Sequence, residues 1–136
     1  FSFQEFSQRY ADPTTDLGFE VREARLQDMK NRQNSIETDN TSLLVVWEQK
    51  QQDLIDKVKQ TYQWAIEHGI AKEQARSILP EGNTSSRMYM NGTLRSWIHY
   101  INLRSGPETQ KEHREVARAC AAALEPVFPM ITQFVK

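Results

Sequence analysis

Apolar residues recur with helical spacing over three separate stretches of the chain. Leu43, Trp47, Leu54, Val58, Thr61, Tyr62 and Ala65 predict one long helix running to His68. At 3.6 residues per turn it has roughly seven turns. Thr41 or Ser42 is placed to cap its start and Gly69 to stop it. A short helix follows over Lys72 to Leu79, ended by Pro80. Arg87 to Asn91 alternates as a strand does, and Asn91–Gly92 breaks it. Thr93 then caps a helix to Arg104 whose apolar stripe is Leu94, Trp97, Ile98 and Ile101. After a Ser-Gly-Pro turn, Pro107 stands at or near the first position of a last long helix. Its expected buried stripe is Val116, Ala119, Cys120, Ala123 and Leu124. Pro126 and Pro129 bracket a final turn, and Ile131 to Val135 form a short amphipathic end.

The first third reads differently. Residues 1–10 mix apolar and polar positions and suit a short extended segment. On an extended chain Glu5, Ser7 and Arg9, spaced by two, face one side together. Residues 11–40 are polar, charge-mixed and poor in large aliphatics, which predicts a loop with at most a short helix around Phe19 to Met29. These elements make the expected fold α+β and rich in helix. The expected organisation is a single domain over 1–136: segment 1–10, polar loop 11–40 and helical body 41–136.

Composition narrows the function. With 17 Lys and Arg against 18 Asp and Glu, the formal charge of −1 gives no electrostatic case for nucleic acid or an anionic membrane. The longest apolar run, Leu43 to Trp47, is far too short to span a bilayer. A single cysteine, Cys120, excludes an internal disulfide and suits a reducing cytoplasm. His68, His99 and His113 fall in different helices, and no metal-ligand spacing occurs, so no metal site is expected. No glycine-rich phosphate loop is present.

Two groups of residues carry candidate chemistry. On the helix 93–104, Arg95, His99 and Asn102 form a row at i, i+4 and i+7, away from the apolar stripe. Arg104 closes the helix about 13 Å along its axis from Arg95. From periodicity alone this row reads as the wet side of an amphipathic helix. In the second group, Glu5, Ser7 and Arg9 can together bind a phosphate and a sugar hydroxyl but read from the residues alone as the solvated face of an edge strand. Arg76, among Ala75, Ile78 and Leu79, reads as a snorkelling side chain. Cys120 sits in a small-residue surface with nothing nearby to lower its pKa, and reads as core.

The stretch TLRSWIHYINLRSGPETQKEHREVA resembles the C-terminal signature of the flavin-dependent thymidylate synthases. That family has a helix with an Arg, a His or Asn four residues later and a closing Leu-Arg, then a turn and a Gln-x-Glu-x-Arg helix. Here these are Arg95, His99, Leu103–Arg104, Gln110, Glu112 and Arg114. The opening FSFQEFSQRY is similar to the family's Asn-Glu-x-Ser-x-Arg-Tyr, with Gln4 where Asn is common. Counting seven residues back from Ser7 puts the family's Arg-His-Arg upstream of Phe1, so an N-terminally truncated chain is expected. Ala75, Arg76, Leu79 and Pro80 match a further family pattern, Ala-Arg-x-x-Leu-Pro.

The resemblance implies a fold of helices packed on a small, mainly antiparallel sheet. It implies reductive methylation of dUMP to dTMP, using methylene-tetrahydrofolate and a hydride delivered through FAD from NADPH. It implies dUMP contacts from Glu5, Phe6, Ser7, Gln8, Arg9, Arg76 and Arg104, with Arg104 as the catalytic cation at the uracil edge. It implies FAD contacts from Glu5, Thr93, Leu94, Arg95 and His99. Thr93 stands where members often have Asn, which keeps a side-chain oxygen and loses an amide donor. A cytoplasmic homotetramer with active sites shared between subunits is implied, and this chain alone is expected to turn over weakly or not at all. The rival reading is a non-enzymatic helical module that binds a nucleotide or a protein partner.

Overall fold

The structure is a computed structural model that describes residues 1–7, 10 and 12–136. The fold is α+β, as expected, with four α-helices and four short strands among the described residues. The strands are β1 (Ser2–Glu5), β2 (Arg25–Gln27), β3 (Ser35–Glu37) and β4 (Met88–Asn91). They pair as two two-stranded sheets, β1 with β4 and β2 with β3. The helices are α1 (Thr41–Glu67), α2 (Lys72–Ala75), α3 (Leu94–Arg104) and α4 (Lys111–Leu124). The chain forms two compact units, one of residues 1–2, 25–37 and 90–136, the other of residues 3–24 and 38–89.

In the second of these units α1 is the longest element, and its buried face is Gln51, Ile55, Val58, Tyr62 and Ala65. Its cap is Asn40 rather than Thr41 or Ser42: the Asn40 side chain accepts from the Leu43 N–H at 3.1 Å. Gly69 ends it with φ of 75°, a left-handed value that costs a residue bearing Cβ. Tyr62, Ala65 and Ala75 make the core, with Ile66 and Leu79 packed on it. The expected helix over 72–79 is α2 followed by a 3-10 turn, Arg76–Ile78, because Pro80 allows no continuation.

The helix expected around Phe19 to Met29 does not form. The backbone of this stretch is engaged elsewhere. Glu20 N–H donates to the Asn83 carbonyl at 2.8 Å. Arg22 N–H donates to Gln51 Oε1 at 2.8 Å, and Gln51 Nε2 returns a bond to the Arg22 carbonyl at 2.8 Å. Gln51 is only 5 % exposed, so α1 carries a buried amide that satisfies this loop. Within 11–40 the chain instead makes a π-helical turn, Pro13–Leu17, and the antiparallel β2–β3 hairpin. Asp28 sets the hairpin turn, accepting from the Lys30 and Asn31 N–H groups at 2.8 and 3.1 Å.

In the first unit α3, α4 and a final 3-10 turn, Pro129–Phe134, close a core of Ile101, Ala121 and Ile131. Helix α4 begins at Lys111, not at Pro107; residues 107–109 are turn and bend. Its fully buried residues are Ala117 and Ala121; of the expected stripe Cys120 and Leu124 pack on the core, while Ala119 and Ala123 are exposed and Val116 is 54 % exposed. The small side chains of Ala117 and Ala121 let this face pack closely in the core. Cys120 is half-buried against this core, and burial pushes its thiol up from the ordinary value.

Candidate functional site

The second unit contains a polar cavity of about 280 Å³ lined by Glu5, Phe6, Ser7 and Arg76. A second cavity of about 290 Å³ shares Glu5 and Arg76 and adds Leu79, Glu81, Thr84 and Ser86. Local folding explains why residues some seventy positions apart meet. Phe6 N–H donates to the Arg87 carbonyl at 2.8 Å, which fixes the end of β1 beside the segment leading to β4. Ser86 Oγ donates to Glu5 Oε1, which orients the carboxylate. Ala75, 4 % exposed, anchors the short helix in the Tyr62 core, so the next residue, Arg76, lies at the cavity wall. Pro80 holds the intervening loop: its carbonyl accepts from Thr84 N–H at 2.9 Å and Thr84 Oγ1 at 2.7 Å.

Arg76 is partly buried, and its guanidinium makes no hydrogen bond or ion pair among the described residues. A cation with free donors beside a carboxylate and hydroxyls can hold a phosphate and a sugar hydroxyl together.

The first unit carries the other group, on α3. Thr93 is its cap, accepting from the Ser96 N–H at 3.2 Å. The backbone donors at Leu94 and Arg95 open the helix beside it. Arg95, His99, Asn102 and Arg104 are all exposed, as the row at i, i+4 and i+7 requires, while Ile101 is fully buried. Among the described residues the Arg95, His99 and Arg104 side chains form no hydrogen bond or ion pair. Tyr100 lies one turn before Arg104 on α3; burial raises its phenol pKa, Cys120 adds to this, and the Arg104 charge opposes it. An exposed helix start, two guanidiniums and an imidazole make a donor set that fits an anionic dinucleotide such as FAD.

Thus Glu5, Phe6, Ser7 and Arg76 are brought together, and Thr93, Leu94, Arg95, His99 and Arg104 stand along one helix. Gln8 and Arg9 lie outside the described residues. Sequence reasoning missed Glu81, Thr84 and Ser86 on the cavity wall, because nothing in a polar loop says that position 86 meets position 5. It also missed Gln51, a glutamine whose burial on α1 no periodicity marks out. Among the described residues no group of three His, Cys, Asp or Glu is placed to hold a metal, and no helix is long and apolar enough to cross a membrane.

Known proteins share this sequence and fold. A Synechocystis protein named flavin-dependent thymidylate synthase is 49 % identical over 131 residues, 96 % of this chain and 59 % of the relative. A probable flavin-dependent thymidylate synthase from Paramecium bursaria Chlorella virus 1 is 45 % identical over 133 residues, 98 % of this chain and 60 % of the relative. The chain therefore spans about three fifths of the length of these curated relatives. The crystal structure of the UMP/dUMP methylase PolB from Streptomyces cacaoi bound with 5-Br UMP shares the fold. It has a TM-score of 0.77 at 24 % identity, covering 98 % of this chain and 62 % of that one. The model of the family described as thymidylate synthase complementing protein matches residues 1–130, and the chain belongs to that family.

Proposed function

We propose that this polypeptide contributes to a flavin-dependent thymidylate synthase, which converts dUMP to dTMP. The observation that carries the proposal is the cavity that Arg76 lines with Glu5, Phe6 and Ser7, a guanidinium, a carboxylate and a hydroxyl able to take a phosphate and a sugar hydroxyl together. The names of the relatives from Synechocystis and the Chlorella virus support the flavin, and the PolB complex supports the fold that holds it.

In this reading Arg76 takes the nucleotide phosphate by a charge-assisted contact. Arg9 provides a second phosphate contact, and the chain around Phe6 and Gln8 lines the nucleotide. Ser7 donates to the nucleotide, and Glu5 accepts from it or reaches the flavin. Thr93, Leu94, Arg95 and His99 hold FAD from the start of α3. When bound, FAD supplies the hydride drawn from NADPH, and methylene-tetrahydrofolate supplies the carbon. Arg104 stands at the uracil edge. A guanidinium is charged at every working pH, so it stabilises negative charge developing on N3 and the carbonyl oxygens without a proton transfer of its own. The methylation asks for no protein nucleophile, in keeping with a Cys120 thiol that burial holds protonated. Assembly as a cytoplasmic homotetramer with shared active sites is part of the proposal, so the two ligand surfaces need not belong to the same copy.

The test is the visible absorbance of the purified protein with FAD, before and after dUMP. A bound-flavin spectrum that shifts on adding dUMP is the expected result. A protein that binds neither FAD nor dUMP contradicts the proposal and favours a plain interaction module.

A further inference from the structure

The first unit has a cavity of its own, of about 260 Å³, between the β2–β3 hairpin and the start of α4. Its wall carries three cations, Arg25, Lys111 and Arg114, against one carboxylate, Glu37. The rest of the wall includes the Asn34 amide and the hydroxyls of Ser35 and Thr109. None of these residues is assigned to the nucleotide or the flavin.

The charges are not equivalent. Arg25, whose side chain is 12 % exposed, pairs with Glu112. Lys111 pairs with Glu37 at 2.8 Å. Arg114 is partly buried yet makes no side-chain hydrogen bond or ion pair among the described residues. Its charge acts on Glu37 more weakly than those of Lys111 and Arg25. The one carboxylate it senses is already bonded to Lys111 and shared with Arg25, so this partly withdrawn guanidinium has charge and donors left for a further anion. The Ser35 and Thr109 hydroxyls likewise make no side-chain hydrogen bond among the described residues, and Thr109 is only 8 % exposed. The 14-residue α4 starts at this wall, and its cap residue Gln110 gives no side-chain cap bond, so the positive end of the helix faces the same region.

We propose that this cavity binds an oxyanion, the carboxylate or phosphate end of a small molecule, with Arg114 making the bidentate contact. The volume lies just below the range typical of sites for whole drug-sized ligands, about 300–1,000 Å³. It suits a free anion or the charged end of a longer molecule. Glu37 already holds Lys111, so the anion adds to that pair and does not replace it. The site stands independently of the thymidylate synthase reading.

The test is a titration of the full chain at low ionic strength, once with inorganic phosphate and once with glutarate, followed by the NMR signals of Thr109, Ser35 and the Arg114 guanidinium. Saturable shifts with either anion are expected, the tighter one naming the source. Binding should weaken at least ten-fold in Arg114→Gln and stay within two-fold of the parent in Arg118→Gln, which removes the same charge one turn along α4 and outside the cavity. Arg114→Lys keeps the charge, loses the fork and should fall between; it also keeps the test open if Arg114→Gln does not fold. Shifts that never saturate, equal losses in Arg114→Gln and Arg118→Gln, or an undiminished Arg114→Lys would overturn the assignment.

Discussion

Ile101→Ala should be the most damaging single truncation on α3. Ile101 is fully buried, and its neighbours Ala121 and Ile131 are 4 % and 0 % exposed. The change removes three methylene-sized groups, worth about 2.4 kcal/mol of transfer free energy at ~0.8 kcal/mol each. A cavity term adds to this, because α4 and the terminal 3-10 turn meet Ile101 from different elements and cannot both collapse onto an alanine. The expected cost is about 3–4 kcal/mol, a large part of the roughly 5–15 kcal/mol that keeps a domain folded. Urea unfolding followed by far-UV circular dichroism reads it directly. With a slope of about 1–3 kcal/mol per molar urea, the midpoint should fall by more than about 1 M. Leu103→Ala, two residues along and 47 % exposed, is the control and should cost under about 1 kcal/mol. An Ile101→Ala midpoint equal to that of Leu103→Ala would refute the packing argument.

Three further outcomes follow from the geometry. Ser86→Ala leaves Glu5 without the hydroxyl that orients it, so dUMP affinity measured by calorimetry should drop about three- to ten-fold with no loss of stability; Ser86→Thr should restore it. For Glu112, burial pushes the carboxyl pKa up, but its own backbone N–H, Gln110 and Arg25 outweigh that and hold it below the ordinary 4.5. A lowered folded pKa means the stabilisation is present above 4.5 and is lost as pH falls through the folded value. The stability gap between the parent chain and Glu112→Gln should therefore be widest near neutrality and shrink as pH drops below about 4.5, measured by melts at stepped pH. Cys120, half-buried with a raised pKa, should react with a disulfide reagent at pH 8 at least ten-fold more slowly than a free thiol, and a rate equal to that of free cysteine would contradict its core placement.

What the sequence carried was mostly periodic. Leu43 to Ala65 and Leu94 to Ile101 recur strongly enough that α1 and α3 follow from spacing alone, and Thr93 and Gly69 mark ends by their chemistry. The exposed row of Arg95, His99 and Asn102 follows from the same count, because burying Ile101 turns those positions outward. The illegible parts depend on partners distant in sequence. Phe19 to Met29 has helical composition, but Gln51 and Asn83 bind the backbone of Glu20 and Arg22 into another shape. The face of α4 was legible only in part: Cys120 and Leu124 pack on the core, but a run rich in alanine gives no strong stripe to single out Ala117 and Ala121. The cavity around Arg76 was legible only through family resemblance: Arg76 on an apolar turn reads as an ordinary snorkelling side chain. Ser86 and Glu81 carry no local mark at all.

The central claim is that Arg76, with Glu5, Phe6 and Ser7, holds the phosphate and sugar of dUMP. Calorimetric titration of dUMP into the parent chain and into Arg76→Ala tests it most directly. The account predicts saturable binding to the parent at low salt and a loss of at least ten-fold in Arg76→Ala, with deoxyuridine, which lacks the phosphate, equally weak for both. Equal dUMP affinity in the two proteins, or binding of deoxyuridine as tight as that of dUMP, would contradict it.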